Sequence, residues 1–298
     1  MNNVKAFSSI QDYNDFIGAR TLHPLVNVVK MSELGPMKHM LHRFGFYACY
    51  LKDHLCGPML YGRNKYDYRE GTLVFIGPNQ VAGNDDGQVT PHPKGWILIF
   101  HPDLLLGTPL ARKMKEYTFF SYASNEALHM SDREKETIET CLQGILDELQ
   151  NPVDKHTKSI VVSSIEVFLN HCVRFYDRQF ITRTDVNKDV ITRFDDLLDS
   201  YFELDLTKKS GLPSVKWCAD EVHLSANYFG DLVKKEIGMS AQEYIQHNIV
   251  ERAKDMLFER NTTVSEIAYR LGFNYPQHLS RMFKKVTGVT PNEYRAAN

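Results

Sequence analysis

VSEIAYRLGFNYPQHLSRMFKKVTGVTPNEYR runs from Val264 to Arg295. Within it, residues 280–285 read SRMFKK, three cations in six residues with no acid. The 298-residue chain as a whole carries a formal net charge of −2. The balance is uneven: residues 1–204 hold 22 Lys/Arg against 26 Asp/Glu, residues 205–260 hold 8 against 9, and residues 261–298 hold 5 against 2. A basic region confined to one end acts within a Debye length of about 8–10 Å, so the neutral total says little about a polyanionic partner.

The spacing in this stretch is that of two helices joined by a tight turn. The first helix covers roughly 264–271, with Ala268 small enough for close helix crossing. Gly272 supplies a positive φ for the turn, and Pro276 suits the first position of the next helix. Leu279, Met282 and Phe283 fall on one face at i, i+3 and i+4, which leaves Gln277, Ser280, Arg281, Lys284 and Lys285 pointing outward.

The pattern occurs twice. Val215 and Ala219 match Val264 and Ala268 at an offset of 49, and Lys234, Lys235, Gly238, Glu243 and Tyr244 match Lys284, Lys285, Gly288, Glu293 and Tyr294 at an offset of 50. This is an internal duplication whose one-residue slip falls in the turn. In the first copy Ala219, Leu224, Phe229, Leu232 and Val233 form the core, and His223 takes the turn position. Between the copies, 241–259 reads as one long helix with Ile245, Ile249, Ala253, Met256 and Leu257 on its buried face. At 1.5 Å per residue it spans roughly 28 Å, against about 34 Å for a turn of B-DNA. A stiff rod of that length suits two helices entering successive major grooves.

SEIAYRLGF…SRMFKKVTGVTPNEYR, together with LSANYF…KKEIGMSAQEYI…ERAKDML upstream, resembles the AraC/XylS family of bacterial transcription regulators, over about residues 208–298. The resemblance implies a sequence-specific regulator that binds double-stranded DNA and works with RNA polymerase. It also implies roles by position: Gln277, Ser280 and Arg281 as base readers, with Gln pairing to adenine and Arg to guanine, and Lys284 and Lys285 as phosphate contacts. In the first copy Asn227 and Tyr228 are the candidate readers and Lys234 and Lys235 the phosphate contacts. Gly230 and Asp231 depart from the family pattern there. Asp231 is repelled by phosphate, so the second copy is expected to supply more of the affinity.

The N-terminal half reads differently. PLVNVVKM (24–31), FGFYACYLK (44–52), GTLVFIG (71–77) and GWILIF (95–100) are short β-branched and aromatic runs separated by turn clusters at 77–87 and 90–95. YDYREGTLVFIGPNQV followed by KGWILIFHPDLL is similar to the cupin-like β-barrel that such regulators carry as a sensor. Downstream, Ser131 and Glu134 form a capping box opening a helix to about Gln150. Pro152 is placed to start a second helix to Phe180, striped by Val161, Ile165, Phe168, Cys172, Phe175 and Tyr176. A segment at 186–203 is amphipathic, and DLTKKSGLPS (205–214) has linker composition.

The expected fold class is therefore α+β in two domains. A cupin-like β-barrel with trailing helices (1–180; barrel about 20–120, helices about 131–180) is followed by a connecting helix and linker (181–212). An all-α DNA-binding domain (213–298) has helix-turn-helix units at 215–236 and 264–286 on a linking helix at 241–259. Aromatic and polar residues on the barrel strands, Phe46, Tyr50, Arg63, Tyr68, Phe75 and Trp96, are candidates for an effector pocket, and Arg43, Arg63 and Arg69 would suit an anionic effector. The resemblance implies a homodimer; the helix from Pro152 to Phe180 either makes that contact or packs its apolar stripe on the barrel.

No catalytic residue and no cofactor is assigned. Neither HxH, GxSxG, P-loop nor GxGxxG occurs, and His39, His42, His54, His92 and His101 are scattered. Five widely spaced cysteines without CxxC read as reduced, buried thiols, so no metal is expected. The absence of a long apolar run or a signal-like N-terminus points to a cytoplasmic protein with no membrane contact. Three readings stand open: a ligand-gated regulator, a regulator whose barrel only dimerises or meets a protein partner, and a metal-dependent cupin enzyme fused to a DNA-binding tail.

Overall fold

The computed structural model describes the chain except residues 1–3, 53–59, 62–63, 66–70, 84–87, 124–125, 260–261 and 298. It divides into two compact units, Met1–Thr182 and Arg183–Asn298.

The first unit opens with β1 (Lys5–Phe7) and α1 (Ile10–Ile17). Then come β2 (Val26–Lys30), β3 (Met37–Lys38), β4 (His42–Phe44), β5 (Tyr47–Lys52), β6 (Leu60–Tyr61), β7 (Asn64–Lys65), β8 (Thr72–Ile76), β9 (Val81–Ala82), β10 (Val89–Thr90) and β11 (Gly95–Phe100). After them follow α2 (Pro109–Lys113), β12 (Leu128–His129), α3 (Asp132–Gln150) and α4 (Thr157–Thr182). The apolar runs at 24–31, 44–52, 71–77 and 95–100 become four of the five strands of an antiparallel sheet, ordered β12-β8-β5-β11-β2, with β2 at one edge. The remaining strands make a three-stranded sheet and two pairs, so the described strands do not close into a barrel. β3, β9 and β10 are two residues each, cut short by the Gly/Pro/Asn turns around them.

Alternation along the strands splits the sheet into two packed faces. Ala48, Ile97 and Ile99 join Tyr13, Phe44 and Phe46 in one core. Phe75 faces the other way, against Phe168 and Tyr176 of α4. The edge strand β12 is covered by side chains of α4: Gln179 accepts from His129 N–H (2.8 Å) and donates to the Ala127 carbonyl (3.2 Å), while Arg178 donates to the His129 carbonyl (2.6 Å). An edge whose backbone groups are occupied this way is closed to further strand pairing.

The capping box of α3 forms as its sequence indicates, with Ser131 and Glu134 bonded reciprocally. The next helix differs from expectation: α4 starts at Thr157, not Pro152. The Asp154 carboxylate accepts from the N–H groups of His156 (2.8 Å) and Thr157 (3.0 Å), and this Asx turn fixes the start five residues later. No helix among the described residues is long and apolar enough to cross a membrane.

The second unit contains α5 (Thr184–Glu203), α6 (Thr207–Ser210), α7 (Val215–Glu221), α8 (Ala226–Ile237), α9 (Ala241–Leu257), α10 (Val264–Arg270), α11 (Pro276–Thr287) and α12 (Pro291–Ala297). The segment 181–212 is not a free connector, because most of it is packed into this unit. Phe194 of α5 is fully buried, edge-on to Phe229 of α8 (5.0 Å) and tilted against Tyr244 of α9 (5.3 Å). The Tyr244 hydroxyl donates to Asp195 (2.7 Å), and burial together with that carboxylate pushes its pKa up to about 12. Arg252 of α9 pairs with Asp199. Residues 205–214, polar enough to read as linker, carry α6, whose Thr207 is buried and donates to the Arg270 carbonyl at 3.1 Å.

α9 carries both helical pairs. Its buried face, Ala241, Ile245, Ile249, Val250, Ala253 and Leu257, packs against α7 and α8 on one side and α10, α11 and α12 on the other. Its 17 residues make a rod of about 25 Å. Arg295 from α12 closes the C-terminal end, donating to the carbonyls of Leu257 (3.0 Å) and Thr262 (2.6 Å). Capping boxes Ser240–Glu243 and Thr263–Glu266 open α9 and α10, and Thr290 with Glu293 makes the same reciprocal bonds at α12.

Both turn residues take the conformation their positions demand: φ is 60° at His223 and 91° at Gly272. At Gly272 a Cβ would also lie 2.9 Å from the Thr207 Cβ and 3.2 Å from the Gly211 carbonyl carbon. Gly288, at φ 84°, has open space around it. Gly288→Ala should therefore lose about 1 kcal/mol of stability from backbone strain alone. Gly272→Ala should lose more, about 2–3 kcal/mol, in denaturant unfolding of the full chain. Equal losses would show that the α6 contact does not matter.

The three cap glutamates give a second prediction. Hydrogen bonds from Ser240, Thr263 and Thr290 hold the Glu243, Glu266 and Glu293 carboxyls below their usual range. A lowered folded-state pKa contributes stability that is present at neutral pH and lost as pH falls through that lowered value. The triple variant Glu243→Gln/Glu266→Gln/Glu293→Gln should thus melt with a shallower acid dependence than wild type below the ordinary glutamate range. Parallel pH profiles would contradict it.

Candidate nucleic-acid interface

The two outward helices are built alike at their ends. α8 starts after Ser225, whose side chain accepts from Tyr228 N–H, and ends at Gly238, with φ 84°. α11 starts at Tyr275–Pro276 and ends at Gly288, also with φ 84°. Lys234 and Lys235 occupy the last turn of α8, and Lys284 and Lys285 that of α11. Cations there complement the helix dipole while their heads stay in water.

α11 separates its faces cleanly. Leu279 and Phe283 are buried and Met282 is half-buried, while Gln277, His278, Arg281, Lys284 and Lys285 are exposed. Ser280 is half-buried and its hydroxyl donates back to the Pro276 carbonyl at 3.3 Å, leaving only acceptor capacity for a base. Lys285 reaches Gln246 of α9 at 3.4 Å. Lys284 lies close enough to lower the Glu293 carboxyl, and Lys285 the Glu243 carboxyl. Gln277 and Arg281, four residues apart and both exposed, share one strip of surface.

α8 presents a different surface. Asn227, Lys234 and Lys235 are exposed, and Gly230 and Asp231 are half-buried. Tyr228 is fully buried and no base can reach it. Its position four residues before the buried Leu232 places it on the core face, a spacing visible in the sequence once Leu232 is fixed as core. Tyr228 is therefore withdrawn as a reader. The reverse omission occurs at the start of α11: the exposed His278, and the 58% exposed Tyr275 just before the helix, carry no signal in the sequence pattern.

The residues proposed for an effector pocket are not gathered in one place. Phe46 is in the sheet core beside α1, and Tyr50 packs on the same core with its hydroxyl 2.6 Å from that of Tyr13. Burial pushes the Tyr13 phenol up to about 12 and Tyr50 well above its usual value. Phe75 lies on the opposite face, wedged against Phe119 (4.3 Å) and Phe120 (5.3 Å). Trp96, two residues before Leu98 on the same strand, pairs across from Leu51 and Lys30, with the Lys30 ammonium over its ring at 4.8 Å. Arg63, Tyr68 and Arg69 lie outside the described residues. Phe46 and Phe75 are closed into packing, so these four described residues do not line a common cavity.

His101 accepts from Asp103 N–H at 3.2 Å, a capping task. Among the described residues no group of three or more His, Cys, Asp or Glu side chains is placed to hold a metal ion. Cys49, Cys172 and Cys218 are buried free thiols and Cys141 is partly buried; burial raises the pKa of all four, which keeps them protonated. Cys56 lies outside the described residues.

Residues 218–297 match the family model described as a helix-turn-helix domain. The chain is 41% identical over 85 residues to the transcriptional regulatory protein YesN of Bacillus subtilis (strain 168), covering 28% of this chain and 23% of that one. It is 28% identical over 151 residues to the HTH-type transcriptional regulator YijO of Escherichia coli (strain K12), covering 50% of each. Among solved structures it is similar to the C-terminal domain of AraT, a response regulator from Geobacillus stearothermophilus. That match has 25% identity, a TM-score of 0.33, and covers 37% of this chain and 85% of that one. The chain spans half or less of the length of these two curated relatives.

Two helical pairs on one rod, each exposing a lysine-tipped helix, define a helix-turn-helix DNA-binding domain. Over residues 218–297 this domain is similar to the helix-turn-helix domains of AraC-type transcriptional regulators.

Proposed function

We propose that the protein is a transcriptional regulator that reads double-stranded DNA through α8 and α11, with α11 supplying most of the affinity and specificity. The observation that carries this is the exposed Gln277–Arg281 strip flanked by Lys284 and Lys285, opposite the buried Leu279 and Phe283. Arg bidentate to guanine and Gln bidentate to adenine each discriminate by about 1–3 kcal/mol in the major groove. The lysines neutralise phosphates and make binding salt-dependent. At about 25 Å, α9 is a rod of the right order to serve two grooves on one face of a duplex. A regulator placed this way acts on RNA polymerase, the protein partner the reading implies. The chemistry is binding, with no bond made or broken.

In a mobility-shift titration on a duplex selected from a random library, Arg281→Ala should weaken binding by at least tenfold. Asp231→Ala should leave it unchanged or tighter, because it removes a like charge from the DNA side of α8. Equal losses from both would defeat the asymmetry.

The first unit is read as the control arm, and the surface of α4 favours pairing of two copies. Ile160, Val167, Val173 and Ile181 are exposed along one helix, between 38% and 60%. Ile160 and Val167 are seven residues apart and Ile181 fourteen further on, with the exposed Arg174 at the position between, so they share one face of the helix. Ile160→Glu/Val167→Glu should shift the chain from dimer to monomer in sedimentation and weaken DNA binding by loss of the second copy. A dimer that survives the double change would move the interface elsewhere. Effector gating, if the first unit provides it, draws on surfaces other than a pocket of Phe46, Tyr50, Phe75 and Trp96.

A further inference from the structure

The duplication places each residue of α11 opposite a counterpart in α8 at an offset of 50. Asn227 corresponds to Gln277 and Asp231 to Arg281, but the pairs Ser225/Tyr275 and Tyr228/His278 are exchanged in kind. In the first copy the residue before the helix is Ser225, which caps it, and the aromatic Tyr228 is buried. In the second, the residue before the helix is the aromatic Tyr275, which makes no side-chain cap and is 58% exposed. His278 stands where the buried ring was, and is itself exposed. Replacing a serine cap by a residue that cannot cap lowers helix stability. Local rules broken at an exposed position point to contact with a partner.

Tyr275 and His278 are also tied to each other and to the cationic strip. Their ring centroids are 5.5 Å apart at an interplanar angle of 68°, edge to face. The spacings 275, 278, 281 and 285 advance by three or four residues, so Tyr275, His278, Arg281 and Lys285 form one exposed stripe ending at the start of the recognition helix. The N-terminal residues of such a helix are the ones that meet base edges. In the DNA-reading role proposed above, an uncharged ring at that end of a basic stripe meets a major groove whose apolar group is the thymine C5-methyl.

We infer that Tyr275 reads a thymine methyl in the major groove beside the base pairs read by Gln277 and Arg281, with His278 as a positioning residue that holds the ring. The inference rests on the DNA-reading role proposed above and adds a specificity determinant to it.

The test uses the full chain and the tightest duplex enriched from a random library. Each thymine is replaced in turn by deoxyuridine, which differs only by lacking the methyl. One position should lose about fourfold in affinity, the value of one buried methyl. That penalty should vanish in Tyr275→Ala, persist in Tyr275→Phe, shrink in His278→Ala and return in His278→Phe. A uracil scan that is flat for wild type, or a penalty unchanged in Tyr275→Ala, overturns the inference and leaves the DNA reading standing. A penalty lost in Tyr275→Ala but unchanged in both His278 variants overturns the positioning role alone. Failure of any duplex to enrich overturns the DNA reading beneath both.

Discussion

The buried face of α9 is the constraint on which the second unit depends. Ile245, Ile249, Val250, Ala253 and Leu257 are each at most a few per cent exposed, and both helical pairs lie against them. Truncating its isoleucines or its leucine to alanine costs about 2–5 kcal/mol each, a large part of a domain's whole stability. One set of apolar contacts therefore fixes two helical pairs at once. Neither pair has enough apolar surface of its own to hold its helices: α7 and α10 are seven residues each. The spacing between readers is then a covalent property of a helix rather than the result of a flexible joint. Arg295, bonded to Leu257 and Thr262 from the last helix, ties the far end of that rod to the second pair.

The two helical pairs share a frame and differ in what they present. α8 offers Asn227, Gly230 and Asp231 where α11 offers Gln277, Ser280 and Arg281. The first set has little reach and one repulsive charge, and the second has two long side chains matched to purine edges. Both end in paired lysines, so both can rest on phosphates.

Much of the second unit could be read from the chain because its determinants are local. The turn conformations of His223 and Gly272, the apolar spacing of Leu279 and Phe283, and the terminal Gly238 and Gly288 are each decided within a few residues. What could not be read depends on distant partners. Phe194 meets Phe229, and Thr207 meets the carbonyl of Arg270 sixty-three residues away. Nothing in the composition of 205–214 encodes that. Tyr228 was legible in principle, since its spacing to Leu232 puts it inside, but an aromatic at the head of a recognition helix also suits a reader. In the first unit the strands were legible by their β-branched and aromatic runs. Their closure was not, because pairing order is set by contacts between strands far apart in sequence. The start of α4 was misplaced because a side-chain carboxylate, Asp154, outweighed the preference of Pro152 for a first helical position.

The packing of α6 against the second pair has a consequence for how such chains exchange parts. A boundary drawn by composition would fall in DLTKKSGLPS, and a first unit exchanged there would bring foreign residues against Gly272. The Thr207 hydroxyl, the Gly211 backbone and the hydrogen bond from Tyr201 to the Gly211 carbonyl (3.1 Å) would all change with it. The reader would then arrive with an ill-fitting collar around its own turn. A seam between Thr182 and Thr184, at the junction of α4 and α5, leaves that collar whole. Exchange of the first unit, in evolution or by hand in the laboratory, is therefore expected to keep α5 and α6 with the helix-turn-helix pairs.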